Sequence, residues 1–232
     1  MPLVFDETPD LLFVRKRAGQ PVFPWHRRPA WAKDDAPSVA RQLEDERPEQ
    51  ALVEWPIGFE CGIAHRVDVS TSGVIVAARR LDVLTEIRAL FSERRLRKRY
   101  LFLTDREVPW DAHTERTPLA HHAKSKRKMI AQRNASTAKR GRWLEAITHF
   151  RRVGGGVWEA RIPTGVTHQI RVHAQLVGLP VQGDTLYGGA ALTDEWLAEH
   201  PGMSFCLHAA QIASDDWSSP TLPLPTWWPV ED

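Results

Sequence analysis

His65-Arg66-Val67-Asp68-Val69-Ser70-Thr71-Ser72-Gly73 sets one carboxylate, Asp68, beside an arginine in a run with no other acid. The continuation, Gly73-Val74-Ile75-Val76-Ala77-Ala78, is apolar and β-branched without alternation, which predicts a central strand buried on both faces. Asp68 is therefore expected at the edge of a core, in a polar turn entering the sheet. Residues 81–91 read as an amphipathic helix with Leu84, Ile87 and Leu90 or Phe91 inward. The basic stretch 94–99 suits the negative end of that helix and leads into a strand at Tyr100-Leu101-Phe102-Leu103.

Upstream, Leu11-Leu12-Phe13-Val14 predicts a buried strand that opens the sheet, and residues 20–37, with four prolines, predict a loop pinned by Trp25 and Trp31. A helix over 39–46 is expected behind Ser38 as cap. Residues 105–142 show no clear period and read as an insertion or an excursion of the sheet. Strands are expected at 143–150 and 157–162, joined through Gly154-Gly155-Gly156. Residues 167–177 predict a helix capped by Thr167 and ended by Gly178. A loop at 183–189, a short helix at 193–200, a strand at 204–213 and an aperiodic tail rich in Trp and Pro complete the chain.

With 232 residues, 42% hydrophobic and 26% charged, the chain is long enough to bury one substantial core and is expected to be a single catalytic domain over 1–232. The formal charge of +2 conceals segregation: residues 88–142 hold 16 of the 31 Lys and Arg but 5 of the 29 Asp and Glu. A local excess of that size is what phosphate contacts and counterion release exploit, so a nucleic acid leads the partner classes, against the alternative of a merely solvating face. Cys61 and Cys206 have no metal-type or disulfide spacing and suit a reducing cytoplasm. The longest apolar run, residues 74–78, is too short to span a bilayer, and no export signal is read. His113, His121 and His122 lack matching carboxylates or cysteines, so no metal is expected, and Ser70, Thr71 and Ser72 lack the Gly-x-Ser-x-Gly turn of a serine nucleophile.

A second motif, Thr167-His168-Gln169-Ile170-Arg171-Val172-His173, places Arg171 in the first turn of its helix, where the dipole disfavours a cation. A carboxylate partner would remove that penalty, and Asp68 is the expected one; the alternative is a structural ion pair without a catalytic role.

These two motifs resemble those of the RluA-type family of RNA pseudouridine synthases, His-Arg-Leu-Asp and His-Gln-Ile-Arg. Lys16-Arg17-Ala18-Gly19 resembles the family's Lys-Pro-Ala-Gly turn, Lys98-Arg99-Tyr100 its Lys-x-Tyr strand and Arg127-Lys128-Met129 its Arg-Lys-Met segment. Gly183-Asp184-Thr185-Leu186-Tyr187-Gly188 resembles its Gly-Asp-x-x-Tyr-Gly loop, and Leu207-His208-Ala209 its Leu-His-Ala strand. The likeness runs from about Leu11 to Ala213. Departures are Val67 for Leu, Val166 for Arg, Arg17 for Pro and Leu179 for His; loss of a basic group at 166 bears on RNA affinity or target choice.

The resemblance implies an α+β fold, a mixed and mainly antiparallel sheet flanked by helices, without an N-terminal S4-like module. It implies isomerisation of uridine in structured rRNA or tRNA by a monomer, with no cofactor and no membrane. Asp68 would be the nucleophile, Arg171 its holder, and Tyr100 the ring that stacks on uracil and serves late proton transfer. Arg66, Arg97, Lys98, Lys126, Arg127, Lys128 and His168 would contact RNA. A non-catalytic RNA-binding protein of the same fold is the rival reading; a DNA-binding or structural protein lacks helix-turn-helix or zinc signatures.

Overall fold

The computed structural model describes residues 2–24, 37–200 and 202–229; Trp25 and Trp31 lie outside them. The elements in chain order are β1 (Val4–Glu7), β2 (Leu11–Lys16), α1 (Val39–Glu46), β3 (Ser72–Ala78), α2 (Leu81–Ser92), β4 (Arg97–Leu103) and β5 (Ala112–Glu115). They continue with β6 (Leu119–His122), β7 (Met129–Ala131), β8 (Lys139–Leu144), β9 (Thr148–Gly154), β10 (Val157–Ile162), α3 (Gln169–Leu176), α4 (Asp194–Glu199) and β11 (Leu207–Ala213). Two compact units result. The first comprises Met1–Leu96, Asp194–Met203 and Ala209–Pro223, the second Arg97–Thr193, Ser204–His208 and Leu224–Asp232.

In the first unit the strand order is β1-β2-β3 with the Ala209 end of β11 beside β3. β2 and β3 pair antiparallel from Leu11 opposite Ala78 to Lys16 opposite Gly73. All seven residues of β3 are buried, as the unbroken apolar run requires. Because successive side chains alternate, Val74, Val76 and Ala78 join Leu84 and Ile87 of α2, while Ile75 and Ala77 join Val39 and Leu43 of α1 on the other face. Ser38 caps α1 by accepting from the N–H of Arg41 at 3.2 Å. The sheet opens one strand earlier than expected: β1 forms an antiparallel hairpin with β2, and its short, half-polar sequence carries no period to announce it.

The second unit holds the order β4-β10-β9-β5, all antiparallel, and a separate three-stranded sheet β7-β6-β8. Residues 105–142 are thus more regular than their sequence suggests; the edge strands β5 and β8 are largely exposed, which removes the apolar alternation that would have revealed them. The strand expected over 143–150 is split. Ile147 gives its N–H to Thr164 Oγ1 at 2.9 Å and its carbonyl to Gln169 Nε2 at 2.8 Å, so side chains take backbone groups a ladder would use. The hairpin at 154–156 forms, with φ of 127°, 55° and 71° at its three glycines. Helix α3 is capped by His168 in a left-handed conformation (φ 55°), not by Thr167.

Both cysteines are buried free thiols; burial pushes Cys61 up to about 11 and Cys206 up to about 12. No helix among the described residues is long and apolar enough to cross a membrane.

Gly73 opens β3 at φ 123°, and a Cβ there would stand 2.2 Å from the carbonyl oxygen of Ala209. Strain and collision act together, so Gly73→Ala should destabilise the protein by about 3 kcal/mol or more, read as a lowered urea midpoint. A loss below about 1 kcal/mol would show that β11 yields at this point.

Candidate active site

Asp68 is delivered by a short extended segment. Ile63 bridges Ala77 of β3, and the chain then runs out to a turn closed by the Thr71 N–H on the Asp68 carbonyl at 3.0 Å. Val67 packs against the α1 side of the core, a job an apolar residue other than leucine also performs. Arg66 is exposed and Asp68 half-buried. His65 is locked in place: Nε2 accepts from the Val76 N–H at 3.1 Å, and the ring lies 5.2 Å from that of Phe91.

The turn rests on Lys16. Its side chain is buried at the end of β2, and Nζ donates to the carbonyls of Thr71 (2.6 Å), Val69 (2.7 Å) and Arg17 (3.0 Å). Three accepting oxygens use every N–H of an ammonium. Burial pushes Lys16 down to about 7, and the nearby charge of Asp68 opposes that drop.

In the second unit Arg171 projects from the first turn of α3. Its Nε and Nη2 grip Asp184 at 2.6 and 2.9 Å, in a bidentate pair with both side chains buried. The guanidinium also lies over the rings of Phe205 (4.4 Å) and Tyr187 (5.0 Å). The Tyr187 hydroxyl accepts from the Met129 N–H at 2.8 Å and is hydrogen-bonded to His168 Nδ1, also 2.8 Å away. Gln169 fills all four of its hydrogen-bonding positions: its oxygen accepts from Thr164 Oγ1 and the Val166 N–H, and its amide donates to the Ile147 carbonyl and Thr148 Oγ1. His173 donates from Nε2 to the Thr117 carbonyl and accepts at Nδ1 from Thr148, and burial holds its pKa below the ordinary histidine value.

Tyr100 is buried in β4, opposite Ala160 of β10. Lys98, Tyr100 and Phe102 share one face of that strand, and Arg97, Arg99 and Leu101 the other. Lys98, expected to contact RNA, turns inward instead: its side chain is buried, Nζ donates to the Thr164 carbonyl at 2.8 Å, and burial lowers it to about 8. Arg97, Lys126 and Arg127 are exposed and Lys128 half-buried, while His168 is half-buried and engaged with Tyr187. No group of three or more His, Cys, Asp or Glu able to hold a metal occurs among the described residues.

Residues 10–176 match the family model described as RNA pseudouridylate synthase. This chain belongs to the RNA pseudouridylate synthase family. Within that family it is 30% identical over 158 residues to the ribosomal large subunit pseudouridine synthase D of Zymomonas mobilis, covering 65% of this chain and 47% of that one. It is 35% identical over 162 residues to the synthase D of Xanthomonas campestris (65% and 46%), and 29% identical over 166 residues to the synthase C of Vibrio vulnificus (72% and 48%). These relatives place the family member in the RluA type, and the matched region spans about half the length of each. The α+β fold is that of human RNA pseudouridylate synthase domain containing 1, with TM-score 0.71 at 21% identity over 98% of this chain and 88% of that one.

Two roles in this family member were not legible beforehand. Lys16 stood only in a matched turn and Asp184 only in a matched loop; neither shows its partner by spacing, since 55 residues separate Lys16 from Thr71 and 13 separate Arg171 from Asp184. Asp184→Ala strips the bidentate partner from a buried guanidinium and should cost about 3 kcal/mol in urea unfolding; a change under about 1 kcal/mol would refute the clamp. Lys16→Met tests the brace by pH. A lysine with a native pKa of about 7 against 10.5 unfolded binds fewer protons when folded between those values. Wild-type stability relative to the variant should therefore climb as pH rises from 7 toward 10.5, and a flat difference would refute the burial of that charge.

Proposed function

We propose that this chain isomerises uridine to pseudouridine in structured RNA, with Asp68 as nucleophile and large-subunit ribosomal RNA as substrate. The observation that carries the reading is the presentation of Asp68: a half-buried carboxylate on a turn held by a buried lysine, in a member of this family. A carboxylate placed to meet RNA repels its phosphates, so a surface that served binding alone would be better without it.

In this reading the target uridine leaves its stack, and Asp68 attacks C1′ of the ribose as the C1′–N1 bond breaks. The uracil anion turns within the pocket and its C5 bonds to C1′ as the carboxylate departs. The C5 proton is then lost and N1 gains one, so the atoms balance without cofactor or metal. By the family's pattern Arg171 is the cation assigned to the nucleophile, and Tyr100 stacks on the uracil and serves the late proton transfer. Arg66, exposed next to the nucleophile, fills the space the base vacates or grips the backbone; Arg97, Lys126, Arg127 and Lys128 hold phosphates. The ribosomal target is proposed from the relatives, which are ribosomal large subunit synthases, and the cytoplasm from two free thiols that a reducing compartment suits.

Purified protein should convert uridine in transcribed large-subunit RNA without additives. Asp68→Asn should bring conversion below detection while leaving the urea stability within about 0.5 kcal/mol, because the side chain is half-exposed. Conversion by the variant at the wild-type rate would remove Asp68 from the chemistry. Conversion of transfer RNA in place of ribosomal RNA would overturn only the substrate.

A further inference from the structure

A second cluster of chemistry lies in the second unit, on the face of the sheet that Tyr100 does not use. Registered pairs run Thr114–His149–Arg161–Arg99 straight across β5, β9, β10 and β4, and in the adjacent row Ala112–Arg151–Glu159–Leu101. Residues paired across antiparallel strands share a face, as do those two apart on one strand, so all eight side chains share one face. Glu159 is buried at its centre with 2% of its side chain exposed. Three guanidinium groups converge on it: Arg99 through Nε, Arg161 through Nε at 2.8 Å, and Arg151 through Nε and Nη2 at 3.3 Å.

One carboxylate offsets one of three positive charges. Burial alone would raise the Glu159 pKa, but the bonds from Arg99 and Arg151 and the charge of Arg161 hold it below the usual range, so it stays an anion and the group keeps a net charge of two. The side chains of Arg151 and Arg161 are 58% and 61% exposed. Arg161 meets Glu159 through Nε, so the contact does not use its two terminal nitrogens. His149 lies exposed beside them, its Nδ1 held by Thr114 Oγ1 at 2.9 Å. The small side chain of Ala112 leaves room in the same row, and Ala112, Thr114, His149, Arg151, Glu159 and Arg161 line an open cleft of about 390 Å³, with Arg99 reaching it only through Glu159.

We propose that Arg99, Arg151 and Arg161, oriented by Glu159 and joined by His149, form a second RNA-binding site that takes a backbone phosphate on the sheet face opposite Tyr100. The proposal rests on RNA being the substrate and adds a contact remote from the target uridine. A preassembled fork of guanidinium donors suits a phosphate better than the point charge of an ammonium does, and the buried carboxylate orients the fork. Such a site would hold a folded RNA that extends around the unit, and would leave the chemistry of the flipped base unchanged.

The test compares wild type with Arg151→Gln/Arg161→Gln and with Arg151→Lys/Arg161→Lys, using large-subunit ribosomal RNA fragments and, as a control, a hairpin of one helical turn. The Gln pair should raise the Kd for the long RNA about tenfold and lower the slope of log K against log salt by about 1. Turnover at saturating RNA and affinity for the short hairpin should not change. The Lys pair restores charge but not the fork, so it should recover the salt slope while leaving the Kd for the long RNA several-fold above wild type. Should the Gln pair disturb folding, His149→Asp, on the exposed rim and registered opposite Arg161, sets a carboxylate at the site that repels phosphate while keeping all three arginines, and should weaken long-RNA binding several-fold. Wild-type affinity and salt slope in both the Gln pair and His149→Asp would overturn the second site while leaving the uridine chemistry standing. Failure of wild type to bind any RNA would overturn both readings together.

Discussion

The bidentate grip of Asp184 on Arg171 is the constraint on which the second unit's arrangement depends. A guanidinium in the first turn of a helix meets the positive end of the dipole, and this one is also buried. Asp184 removes both penalties and, because two N–H groups meet two oxygens, fixes the plane of the guanidinium as well as its place. The rings of Tyr187 and Phe205 complete the enclosure. Tyr187 in turn ties the loop to Met129 and His168, so three stretches far apart in sequence, around residues 128, 168 and 187, are held as one assembly. Their joint occurrence in the chain has a mechanical reason: each supplies a partner that the other two leave buried.

The first unit solves a parallel problem with different parts. For the nucleophile role proposed for Asp68, a carboxylate has to be exposed enough to meet its substrate and fixed enough to meet it in one pose. β3 supplies the rigidity, buried on both faces between α1 and α2. Lys16 supplies the fixing, since its ammonium satisfies three carbonyls of the segments around the turn. Gly73 lets β3 approach β11 more closely than any side chain allows. The turn that carries Asp68 is consequently joined to a strand buried along its whole length.

Strand alternation sorts the basic residues in a way that a charge count does not. Residues 97–99 read as one basic run, yet Arg97 and Arg99 leave the strand on one side and Lys98 on the other, where it is buried against Thr164. Arg99 instead joins Arg151 and Arg161 around Glu159, residues that are distant in sequence and lie outside the basic segment 88–142 in two cases of three. Local positive charge density in the chain is therefore a poor guide to where charge gathers on the fold.

What the sequence determined by itself was the part governed by local rules. The apolar run after Gly73 dictates a two-faced central strand, Ser38 a helix start, Gly154 to Gly156 a hairpin and Gly178 a helix stop, because these depend on side-chain periodicity and backbone freedom within a few residues. Family membership was legible as well, through motifs that persist in order along the chain. The partners were decided only by the tertiary structure: Asp184 for Arg171, Lys16 for the Asp68 turn, Glu159 for three arginines, and the side-chain bonds that split one expected strand at Ile147. A hydrogen bond or ion pair carries no record of sequence separation. The burial that gives these pairs their strength arises only when the elements around them have packed.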